Sequence, residues 1–152
     1  MAPDVVPAAD PDDPPLPGSL AAIDGLDVER GAYGGPRVAR LSRALRTPIS
    51  ALSLAELRFL LSERRGIAHL VPAALARLEV DPFLRADTHA GDLLLTTLAA
   101  ADAVWDDAPP WRARVRTVLA DARHRLTVDA VDLATRDRLA AELDVADARF
   151  HP

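Results

Sequence analysis

At 152 residues the chain is one domain's worth of sequence, and its 49% apolar and 27% charged residues exclude a wholly disordered polymer. It has no cysteine, which excludes disulfides, thiol nucleophiles and Cys-ligated zinc. All 18 basic residues are arginine, which excludes Schiff-base and P-loop lysine chemistry. The net charge of −5 disfavours non-specific nucleic-acid binding, and no apolar run approaches the roughly 20 residues of a membrane span. The start, Met1-Ala2-Pro3-Asp4, is acidic where a secretory signal would be basic and then apolar, so a cytoplasmic protein is expected.

Residues 1–17 hold six Pro and four Asp and read as a disordered, extended arm, leaving 18–150 as one helical domain. Ser19 to Gly25 predicts one short helical turn, followed by a Gly-rich connector (Gly31-Ala32-Tyr33-Gly34-Gly35-Pro36). Val38, Leu41 and Leu45 then mark an amphipathic helix that Pro48 ends. Ser53-Leu54-Ala55-Glu56 is a capping box opening a helix that buries Leu57, Leu60 and Leu61, with Gly66 as its left-handed stop.

A short helix is predicted from about Val71 to Glu79, with Pro72 in its first turn, and a loop from Asp81-Pro82 to Gly91. Asp92 is placed to N-cap a helix carrying Leu94, Leu98, Ala101 and Trp105. After Pro109-Pro110, the residues Trp111, Val115, Val118, Leu119, Ala122 and Leu126 form a continuous stripe. A last helix is predicted over about Val128 to Ala146, using Val131, Leu139 and Leu143. No strand-like alternation appears, so the fold class is all-α, a small bundle of about five main helices.

Charge is distributed in blocks. Residues 18–78 carry +4, residues 79–107 carry −6, and residues 108–126 carry +4. An acidic middle between basic flanks either pairs internally or presents a negative face to a basic partner. The acids of that middle are Glu79, Asp81, Asp87, Asp92, Asp102, Asp106 and Asp107.

Reactive constellations are missing from the pattern. His69, His89, His124 and His151 form no His-x-x-x-His or Glu-x-x-His pair, so no metal and no cofactor is expected. There is no Gly-x-Ser-x-Gly elbow and no dinucleotide-binding glycine loop, and Asp106-Asp107 sits at a helix end without a sign of burial. The two helices around Gly66 have the order of a helix-turn-helix. The second, Val71-Pro72-Ala73-Ala74-Leu75-Ala76-Arg77-Leu78, is built for burial rather than for reading bases. Composition and spacing lead to the expectation of a small cytoplasmic helical protein that works as a binder.

Five segments in order resemble the immunity proteins of bacterial contact-dependent growth inhibition (CDI). They are Ser19-Leu20…Gly25, then Leu41…Leu45-Arg46-x-Pro48-Ile49, then Leu54…Leu57-Arg58. Gly66-Ile67…Leu70-Val71-Pro72-x-Ala74-Leu75…Leu78…Pro82 follows, and then Gly91-Asp92-Leu93-Leu94…Leu98…Trp105. The resemblance covers roughly residues 19–111. The chain departs from the family pattern at Glu63-Arg64-Arg65, where a Gln-rich helix end is usual, and at His89-Ala90, where Tyr-Pro is usual.

The resemblance implies a protein that binds the C-terminal toxin domain of a delivered effector, often a nuclease, and blocks it. It implies a protein partner and no nucleic acid, membrane or small-molecule ligand. On this reading Asp87, Asp102, Asp106 and Asp107 mimic phosphate charge in a basic cleft, and Arg64 and Arg65 set register. The motif residues Leu57, Arg58, Gly66, Leu70, Val71, Pro72, Leu75, Pro82, Gly91, Asp92, Leu93, Leu94 and Trp105 are then fold determinants. The competing functions are an acidic regulatory or scaffold protein, a transcriptional regulator and a helical enzyme. A DNA binder would show steep salt dependence, and an enzyme a pocket with convergent polar groups.

Overall fold

A computed structural model describes residues 17–25, 34–102, 109–129 and 131–150. Trp105, Asp106, Asp107 and the Pro/Asp-rich arm as far as residue 16 lie outside the described residues. The described residues are all-helical, without a strand, and no helix among them is long and apolar enough to cross a membrane. They hold six helices of nine residues or more, against the five or so expected, together with one short turn of helix.

The chain divides into two compact units, Met1–Leu52 and Ser53–Pro152. In the first, α1 (Leu20–Ile23) is capped by Ser19, whose hydroxyl accepts the Ala22 amide at 3.2 Å. Helix α2 (Gly35–Arg46) packs against α1, and the Ile49 amide donates to the Gly18 carbonyl at 3.1 Å. Of the stripe expected along α2, Leu45 is buried and Leu41 half-buried, while Val38 is exposed. Pro48 ends α2 as expected, and a 3₁₀ turn (Ile49–Ala51) follows.

The second unit begins with α3 (Leu54–Ser62). Its capping box is reciprocal: Ser53 Oγ accepts the Glu56 amide at 3.1 Å and the Glu56 carboxylate accepts the Ser53 amide at 3.0 Å. The end of α3 differs from expectation. Arg64, not Gly66, takes the left-handed position after the helix, with φ 55°. Its amide donates to Leu61 and that of Arg65 to Leu60, the paired bonds of a Schellman turn. Gly66, at φ 59°, instead starts α4 (Ile67–Leu78), which begins four residues earlier than the sequence suggests.

Pro72 therefore lies in the second turn of α4 rather than the first. The carbonyl it deprives of a partner belongs to Ala68, which faces solvent, so water can satisfy it. Leu70, Val71, Ala74, Leu75 and Leu78 of α4 are fully buried, and α4 packs on α3, on α5 (Asp92–Asp102) and on α6 (Pro109–Val128). It is the centre of this unit.

Along α6 the expected stripe is real: Val115, Val118, Leu119, Ala122 and Leu126 are buried and Trp111 half-buried. The last helix, α7 (Leu133–Phe150), starts five residues later than expected because Asp132 caps it, its carboxylate accepting the Thr135 amide at 3.0 Å. Val131 is consequently outside the helix, and the buried face continues through Ala146 to Phe150. Arg123 of α6 bonds both Asp144 and Asp147 of α7, and Arg116 Nε donates to the Phe150 carbonyl at 3.2 Å.

Truncation at the centre of α4 should be severe. Leu75→Ala is expected to lower unfolding free energy by about 2–5 kcal/mol in urea titrations followed by circular dichroism, whereas Val80→Ala, at an exposed site, should change it by less than about 0.5 kcal/mol.

Candidate functional site

The loop joining α4 to α5 is organised by a carboxylate. Asp81 Oδ1 accepts the Phe83 amide at 2.9 Å, Pro82 is buried, and the Gly91 amide returns to the Phe83 carbonyl at 3.2 Å. Gly91, rather than Asp92, supplies the first acceptor of α5, to the Leu95 amide at 3.1 Å. Its φ is +83°, a conformation that favours glycine, and a Cβ there would come within 2.8 Å of Leu139 Cδ2, so the Leu139 side chain would have to shift.

Asp92 was expected to cap its own helix, and it does something else. It is the first residue of α5 and turns back over the loop. Its Oδ1 accepts the Ala86 amide at 2.7 Å, and its Oδ2 accepts the amides of Asp87 at 2.9 Å and Thr88 at 2.8 Å. The residue is only 2% exposed. Burial pushes its carboxyl up, but hydrogen bonds from the amides of Ala86, Thr88, Asp87 and His89 outweigh that and hold it at about 2.

Arg58 of α3 completes this cluster. Its Nε is buried without a hydrogen bond and lies 3.7 Å from Asp92 Oδ2, while its Nη1 lies 3.6 Å from Asp87 Oδ2. At those separations it acts through charge on two carboxylates at once.

The remaining described acids of the 79–107 block also meet arginines, all of them from outside the block. Glu79 receives Arg114 Nε at 2.6 Å, a bond that lowers the Glu79 carboxyl and raises the Arg114 guanidinium. Asp81 lies 3.6 Å from Arg125, and Asp102 receives Arg149 Nε at 2.7 Å. Asp87 and Asp102 keep 50% and 34% of their side-chain exposure, so they are compensated but reachable.

Arg64 and Arg65 stand apart from these pairs, exposed on the turn after α3. Neither they nor Arg85 enters an ion pair among the described residues. Beside Arg64 an open groove runs between α3 and α5, lined by Leu61, Ser62, Arg64, Leu95, Thr96, Ala99 and Ala100. Spacing arguments do not reveal this groove, because its walls come from helices more than thirty residues apart. No group of three or more His, Asp or Glu placed to hold a metal ion occurs among the described residues.

A family model for CDI immunity proteins matches residues 33–115, more than half of the 152-residue chain. The chain belongs to this family of immunity proteins. No curated protein and no solved structure matches it.

The match sets the motifs in their structural places. It begins after the Ser19–Gly25 segment and runs into α6, further than the resemblance suggested. Within it, Leu57, Leu70, Val71, Leu75, Leu93 and Leu94 lie in the interior of this immunity protein. Arg58, Gly91 and Asp92 together fix the 81–91 loop.

Asp92→Asn keeps the shape but points an amide N–H₂ at backbone donors, and should lower stability at neutral pH by about 2–3 kcal/mol. The native carboxylate's contribution is complete above its ordinary value of 3.8 and lost as pH falls through about 2. That window carries about 2 kcal/mol of acid sensitivity, which urea titrations between pH 5 and 2 should show in the native protein and not in Asp92→Asn.

Proposed function

We propose that this immunity protein binds the toxin domain of its cognate CDI effector and neutralises it in the cytoplasm, without chemistry of its own. Membership of the CDI immunity family over residues 33–115 carries the reading. The effector is a nuclease, and the immunity protein blocks its active site. A nuclease must present a basic cleft to phosphates, and an acidic surface can fill that cleft and be steered to it.

The acidic block supplies that surface, through Asp87, Asp102, Asp106 and Asp107 standing in for phosphates, with Arg64 and Arg65 setting the register. Asp87 and Asp102 are held in place by Arg58 and Arg149, and so reach the partner already ordered. Such bridges lessen the local negative potential at Asp87 and Asp102.

Co-expression with the C-terminal domain of the toxin encoded beside it should restore growth to a poisoned cell, and the two proteins should co-purify. Reversing Asp102, Asp106 and Asp107 to Arg should slow association about tenfold or more at low salt, with the difference shrinking at high salt, as read by stopped-flow binding. A toxin domain that neither binds this protein nor is silenced by it would remove the assignment.

A further inference from the structure

We infer that the groove between α3 and α5 is a second anchor for the toxin domain, one that accepts an apolar side chain lying next to a carboxylate. This deepens the function proposed above and rests on it. It gives the contact a polarity opposite to that of the acidic block.

The groove's chemistry is narrow. Its volume is about 330 Å³, at the small end of ligand cavities and suited to one large side chain. Leu61, Leu95, Ala99 and Ala100 make its walls apolar. The two hydroxyls that line it are turned to their own helices: Ser62 Oγ donates to Phe59 O at 2.7 Å and Thr96 Oγ1 to Asp92 O at 2.9 Å. What the groove offers a visitor is largely hydrocarbon surface, with Arg64 among its lining residues.

Arg64 is also in a costly place. It occupies the left-handed position of the Schellman turn, φ 55°, where glycine is the unstrained choice and no Cβ is wanted. The turn itself gains nothing from an arginine side chain there, since its two bonds are made by backbone amides. Arg64 lines the groove and Arg65, next to it in the chain, is exposed, while the acids of the 79–102 stretch are matched by Arg58, Arg114, Arg125 and Arg149. The complementary partner surface is therefore acidic as well as apolar.

The position allows a test that separates binding from folding. Arg64→Gly relieves the backbone, so its melting temperature should equal or exceed that of the native protein. Its dissociation constant for the purified toxin domain should nevertheless rise about tenfold or more, with Arg64→Lys in between. Ala99→Trp fills the groove from an exposed helical site and should weaken binding to a similar degree while the circular dichroism spectrum is unchanged. Native affinity in both Arg64→Gly and Ala99→Trp overturns the anchor but leaves the immunity function standing. Failure of the native protein to bind the toxin domain overturns both.

Discussion

The immunity protein's second unit turns on a buried carboxylate that does not serve its own helix. Asp92 gathers three successive amides, those of Ala86, Asp87 and Thr88, and so fixes the backbone of a loop that has no strand or helix of its own. A charge taken out of water would ordinarily be a liability. Here the amides of Ala86, Thr88, Asp87 and His89 outweigh the desolvation, and the carboxyl stays ionised down to about 2. Gly91 lets the chain enter α5 at the required angle, and Leu139 occupies the space a side chain at Gly91 would need.

Charge in this molecule follows the same economy of internal matching. Among the described residues, the acids of the strongly negative stretch are, in three dimensions, carboxylates tied to arginines that come from α3, α6 and α7. These pairs bridge elements far apart in the chain, from Arg58 to Asp87 and from Asp102 to Arg149. They orient side chains more than they stabilise, since half-exposed pairs contribute little to folding. A surface of pre-positioned charges is well suited to a partner that must be met quickly and in one orientation.

How much of this could be read from sequence depends on whether a signal is local. The Ser53–Glu56 capping box and the α6 stripe are complete within a few turns of chain, and both were legible residue by residue. Asp92 was legible as important but not in its role, because an aspartate before an apolar run looks the same whether it caps forwards or reaches backwards. Gly66 misled for a related reason. Glycine usually marks the left-handed stop, yet the strained position fell on Arg64 and the glycine began the next helix. The Asp132 cap hid behind the apolar Val128 and Val131, whose spacing imitates a helix start. The ion pairs and the α3–α5 groove were beyond reach, being made by residues brought together only by packing.

The family match closes at Val115, part-way along α6, while the molecule's own dependencies run on to its last helix. Leu139 lies against Gly91, and Arg149 grips Asp102. A recognisable signature and an autonomous module are thus different lengths of chain here. Anyone moving α5 and its preceding loop onto another scaffold must carry α7 along, because the helix that similarity leaves out is the one that braces both ends of α5.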